Sequence, residues 1–203
     1  SHITDPGVHY PEHGLYHLKN ALVKIALEQW DDPLIKAYRS VLKSSDTALL
    51  SKQTKSCAVY LLGGVLGDVR AEVRKRFPGF GEVSEDYIAV NMAVPVKDAQ
   101  EPRVNELFNE VIREAWTVAD HLTGFPKIGS EELWLLSEEN SNSQDQFSDQ
   151  ACYVYPEVSA NVQGFVRSRV SSPGTYLFSD AGGGSVDQSI FILWRQDGED
   201  YLT

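Results

Sequence analysis

Apolar residues recur at three- and four-residue intervals through most of the first 80 positions of this chain, the spacing of helices with one buried face. Leu15, Leu18, Leu22, Ile25 and Leu27 predict a helix between Gly14 and Trp30. Asp31-Asp32-Pro33 predicts a second helix start, because acidic residues complement a helix N-terminus and proline suits its first turn. That helix is expected to reach about Lys43. Ser44-Ser45-Asp46 then caps a long third helix, whose predicted buried face is Cys57, Ala58, Leu61, Leu62, Val65, Leu66, Val69 and Val73. It ends near Arg76 or Phe77, before Pro78-Gly79. Gly63, Gly64 and Gly67 lie inside it, with neither the preceding strand nor the lysine that a phosphate loop needs. Close helix packing is the better reading of those glycines.

Beyond position 80 the pattern changes. Tyr87 to Pro95 reads as an apolar strand ending in Val-Pro. Asp98-Ala99-Gln100-Glu101 reads as a capping box, followed by Val104, Leu107, Phe108, Val111, Ile112, Ala115, Val118, Ala119 and Leu122 at helical spacing. Gly124-Phe125-Pro126 stops that helix. Leu133-Trp134-Leu135-Leu136 predicts a short buried strand, and Glu139 to Gln146 an exposed polar loop with no chemistry. Tyr155-Pro156-Glu157-Val158-Ser159-Ala160-Asn161 opens a helix running to about Arg169, and Thr175–Phe178 and Ser189–Trp194 are strand-like. The expected class is α/β, with a helical subdomain over 1–80 and a layer of helices on a mixed sheet over 81–203.

Composition narrows the function classes. Apolar residues make up 42% of the chain, within the globular range. The formal net charge of −11 opposes a nucleic-acid backbone or an anionic membrane as main partner, and no basic stripe interrupts it. No apolar run is long enough to span a bilayer. Cys57 and Cys152 form neither a metal-ligand spacing nor a disulfide framework, which makes a cytoplasmic location the expectation. His9, His13 and His17 repeat every fourth residue, but Pro11 and Gly14 interrupt the helix that would align them, so a solvated segment is the reading. The chain starts at Ser1 without a methionine and ends at Tyr201-Leu202-Thr203, which reads as the start of a strand. A piece of a longer protein is therefore expected.

The richest chemistry lies in Ser179-Asp180-Ala181-Gly182-Gly183-Gly184-Ser185-Val186-Asp187. Glycines in a strand-to-strand turn permit positive φ and leave backbone N–H groups open to an anion. A carboxylate on either side suits water-bridged magnesium on a phosphate, which takes one or two protein carboxylates. A glycine hairpin closed by two solvated aspartates explains the same residues without a ligand.

Three pieces in order, the strand ending Val94-Pro95, the helix opening at Glu157 and the D-x-G-x-G-S-x-D turn, resemble the ATPase core shared by actin, sugar kinases and the seventy-kilodalton heat-shock chaperones. Glu157 stands 23 residues before Asp180, as in the chaperones. Val158 stands where the chaperones have proline, Ser185 where they have threonine, and the interval from Pro95 to Glu157 is longer. The resemblance covers about Tyr87 to Leu193 and implies a ribonuclease H-like, actin-like ATPase lobe. It implies that Asp180 lies near a magnesium–phosphate group and helps place the attacking water. Gly182, Gly183, Gly184 and Ser185 would offer N–H groups to the β- and γ-phosphates, with Asp187 also in the cofactor-binding group, and Glu157 would orient the water; closing the turn by accepting backbone hydrogen bonds explains Asp187 equally. Glu157 is equally explained as a complement to its helix dipole. ATP or ADP with magnesium is the implied cofactor. The implied partners are protein clients or co-chaperone-like proteins, with self-association of the chain as a further expectation. The first phosphate hairpin of the superfamily, a D-x-G-T pattern, is missing here, so these residues alone are expected to hydrolyse ATP weakly or not at all. Two other readings stay open: a nucleotide-sensing assembly module without turnover, and a regulatory domain that keeps the fold but not the nucleotide.

Overall fold

A computed structural model describes residues 14–44, 46–80, 82, 88–94, 101–141, 152–156, 162, 165–166, 171–181, 186–196 and 199–202. The chain is mixed α/β. In order, the described elements are α1 (Leu18–Ala26), α2 (Pro33–Leu42), α3 (Thr47–Arg76), β1 (Val90–Val94), α4 (Pro102–Val118), a 3₁₀ turn (Ala119–His121), α5 (Ser130–Ser141), β2 (Cys152–Pro156), β3 (Gly174–Ala181), β4 (Val186–Gln196) and β5 (Glu199–Leu202).

The polar starts predicted for α2 and α3 act as caps. The Leu34 N–H donates to the Asp32 carboxylate at 2.9 Å, with Pro33 in the first turn, and the Leu49 N–H donates to Asp46 at 2.7 Å. Each satisfies a backbone donor that the helix itself cannot. The Asp98 capping box lies outside the described residues. There α4 starts at Pro102, and Glu101 occupies the cap position without a side-chain bond. Proline, which has no N–H to satisfy, starts this helix instead.

The glycines of α3 set the central crossing. A β-carbon at Gly63 would stand 2.7 Å from the Leu122 side chain, and one at Gly67 would run into the Ala119 carbonyl and the Thr123 hydroxyl. The bare backbone of α3 therefore seats the end of α4 and its 3₁₀ turn. This corrects the predicted face of α3. Ala58, Val59 and Leu66 are buried with the glycines, whereas Leu61, Val65 and Val69 are 49, 47 and 45% exposed. The notch fixes the rotation of the helix, so Leu61, Val65 and Val69 of the apolar stripe turn outward.

The main core joins Leu22 and Val23 of α1, Ala58, Val59 and Leu66 of α3, and a fully buried row on α4, Val104, Phe108, Val111, Ile112 and Ala115. Val94 and Cys152 add the first sheet to it. In that sheet β1 and β2 pair in parallel, from Val90 opposite Cys152 to Val94 opposite Pro156. Parallel strands need a long crossover, and α4 lies within it. Leu133–Leu136 is a correction: these residues sit in α5, with Leu133 buried and Leu135 exposed. A four-residue apolar run fits either element. Ser130-Glu131-Glu132 ahead of it, which puts two acids in the first turn, favours the helix. The helix also takes in Glu139–Ser141 from the predicted loop. The rest of that loop lies outside the described residues.

The second sheet is an antiparallel meander in the order β3-β4-β5. Phe191 and Leu193 of β4 pack with Tyr176 and Phe178 of β3 against Val162, Phe165 and Val166, which are the described helical residues of the segment after β2. The Tyr176 and Phe191 rings stack at 5.4 Å.

Candidate functional site

Alternation along β3 and β4 produces the candidate site. Tyr176 pairs with Phe191 and Phe178 with Ser189, and the same register carries on to the turn, where Asp180 is opposite Asp187 and Ala181 opposite Val186. The hairpin predicted around the glycines therefore forms, and its two flanking aspartates become direct cross-strand partners. Gly182, Gly183, Gly184 and Ser185 lie outside the described residues, as does Glu157. Pro156, the residue before Glu157, ends β2 beside Val94 of β1. The strand termini that precede the predicted chaperone-like elements are thus neighbours across the parallel ladder.

Elsewhere several charged groups are matched within the chain. A cleft of about 730 Å³ opens between α3, α4 and α5, lined by Ser51, Lys52, Lys55, Glu110, Glu114 and Trp134 among others. Lys55 stands 2.8 Å from Glu110 and 2.6 Å from Glu114. Burial acts to lower its pKa, but the two carboxylates outweigh that and hold the ammonium above its ordinary value. The Lys52 ammonium rests 3.3 Å from the Trp134 ring centroid. Sequence reading missed this group. The available signal was Lys55 on one apolar-patterned helix and Glu110 and Glu114, four apart, on another. Both of its lysines have partners within the chain.

Asp120 receives Arg74 at 3.2 Å and Arg70 at 3.7 Å, and Arg70 also covers the Trp116 ring. Partial burial acts to raise the Asp120 pKa, and the two guanidinium groups override it, leaving the carboxyl below its usual range. Burial pushes the Cys57 thiol up, which opposes a reactive thiolate. His9 and His13 lie outside the described residues, and His17 holds the cap position of α1. Among the described residues, no three His, Cys, Asp or Glu side chains gather as a metal cluster, and no helix is long and apolar enough to cross a membrane.

No family model, no curated protein and no solved structure matches the chain.

Proposed function

We propose that the chain is a segment of an actin-like ATPase core closest to the heat-shock chaperone branch, and that the β3–β4 hairpin holds the phosphates of magnesium–ATP. The observation that carries this reading is the Asp180–Asp187 cross-strand pair at a glycine turn. Aspartates in register across the ladder, with Gly182, Gly183 and Gly184 between them in sequence, are residue types suited to a cation and an anion held together. Magnesium would suit those residue types, because it asks for few protein carboxylates. The order of elements supports the same reading: a parallel pair β1–β2 spanning α4, helical residues after β2, then the hairpin.

On this reading Asp180 would hold magnesium through water, and Gly182, Gly183, Gly184 and Ser185 would offer backbone N–H groups to the β- and γ-phosphates. Magnesium, when bound, neutralises charge on the phosphate oxygens. Asp187 closes the turn. Glu157, next after the last residue of β2, orients the water for in-line attack. Helices α1, α2 and α3 are the helical part, and α1 and α3 share the main core with α4 of the 81–203 segment. Turnover requires phosphate-binding elements beyond the single hairpin, so these residues bind nucleotide more readily than they hydrolyse it. A protein client or co-chaperone-like partner reads the nucleotide state, in a cytoplasmic setting.

The test is an amide chemical-shift titration of the chain with magnesium–ATP and magnesium–ADP. We expect saturable shifts at Gly182, Gly183 and Gly184, lost when magnesium is withheld and lost in Asp180→Asn, whose fold is checked by the unchanged remainder of the spectrum. Absent shifts at the glycines, or shifts that persist in the variant, reject the hairpin as the phosphate site. Shifts with both nucleotides but no phosphate release from the intact protein would favour a nucleotide-sensing assembly module over an ATPase.

A further inference from the structure

The second sheet buries one face and leaves the other bare. Tyr176, Phe178, Phe191 and Leu193 face the segment that includes Val162, Phe165 and Val166. On the opposite face, Leu177 is 67% and Ile190 71% exposed, and Ile192, Trp194 and Tyr201 are exposed too. The register makes them one surface: Leu177 is opposite Ile190, Ile192 opposite Thr175, and Trp194 opposite Tyr201. The Trp194 and Tyr201 rings stack at 4.5 Å. A solvated face of an antiparallel sheet ordinarily alternates to polar side chains. This one carries five large apolar residues, a contiguous patch of the kind that marks an interaction site.

We propose that this face is an isologous interface between two copies of the chain, packed sheet on sheet. Three observations select a second copy. First, the patch is self-complementary. Leu177 and Ile190 form an aliphatic ledge toward the turn, and the stacked Trp194–Tyr201 pair forms an aromatic ridge at the other end. A two-fold axis through the middle of the face, near Ile192, lays the ledge of one copy against the ridge of the other. Second, charge permits it. The chain carries −11, which repels a like copy over most of its surface, yet Glu199 at the rim is the one charged residue among the described positions of this face. Third, the area reaches the lower bound of a specific interface: side chains of this size and exposure offer on the order of 500 Å² per copy, so a pair that covers the whole face buries about 1,000 Å². The twist of each sheet sets the two sets of strands roughly 30° apart.

The interface borrows nothing from the nucleotide reading, and its test is independent of it. Sedimentation equilibrium of the chain, without nucleotide, is compared with Ile190→Lys and with Leu61→Lys, a control that places the same charge on the exposed ridge of α3. Both positions are exposed, so neither substitution disturbs packing. A dimer that dissociates at least about tenfold more readily in Ile190→Lys, with Leu61→Lys unchanged, supports the proposal. A wild-type monomer at the highest soluble concentration overturns it, and the face then belongs to a different partner. A dimer weakened by Leu61→Lys and not by Ile190→Lys overturns it as well.

Discussion

A single absent methyl group decides how α3 and α4 meet. Replacing glycine by alanine inside a helix ordinarily stabilises it, by about 1 kcal/mol. At Gly67 the new β-carbon would meet the Ala119 carbonyl, which belongs to the backbone of the 3₁₀ turn and cannot step aside. Overpacking of that kind costs about 1–3 kcal/mol, enough to reverse the sign. Gly67→Ala is therefore expected to lower the urea midpoint, while Gly79→Ala, whose β-carbon meets only the Glu82 carboxylate end at 3.7 Å, leaves it unchanged or raises it. Equal responses at the two glycines would refute the notch. The sequence carried half of this: Gly63, Gly64 and Gly67 were legible as packing glycines because they lacked the context of a phosphate loop. Which side chains they turn outward was not legible, since Leu61 and Leu66 are alike in hydrophobicity.

Helix starts were the most legible elements, because a cap is a local bond between a side chain and the backbone two or three residues on. Asp46 anchors the first turn of the 30-residue α3 through the Leu49 N–H. Asp46→Ala is expected to cost about 1 kcal/mol of unfolding free energy, and Asp46→Asn much less, since an amide oxygen still accepts the bond. Chemical denaturation of the two variants checks this, and equal losses would mean that the carboxylate charge acts rather than the hydrogen bond. The strands were legible where the apolar run was bounded by turn residues, as at β3 and β4. Leu133–Leu136 was misread because four consecutive apolar residues have no period. The packing of α5 against α3 and α4, with Leu133 inside and Leu135 outside, settles it as a helix.

At the scale of the molecule, the large core around α4 and the small one beneath β4 differ in depth. Phe108, Val111, Ala115 and several neighbours are wholly inaccessible, whereas the cluster at Phe191 and Val166 retains some exposure in most of its members. Local opening follows buried apolar contact. Amide exchange of the Ile190→Lys protein, in which association does not contribute, is thus expected to be fastest in β3–β5 and slowest in α3 and α4. Comparable protection in both would mean that the two cores open as one unit. The sequence by itself determined the number of early helices, the caps of α2 and α3, the strand before Pro95 and the pairing of β3 with β4, since each follows from contacts close along the chain. It also supplied the candidate chemistry of Asp180 and Asp187. Only the tertiary structure decided that these two aspartates are exact register partners, that α3 turns Leu61, Val65 and Val69 to solvent, that Lys55 is held by Glu110 and Glu114, and that one sheet face lies bare. Those facts depend on pairings between residues far apart in the chain, and a pattern of hydrophobicity along the chain does not encode which distant surface fills which groove.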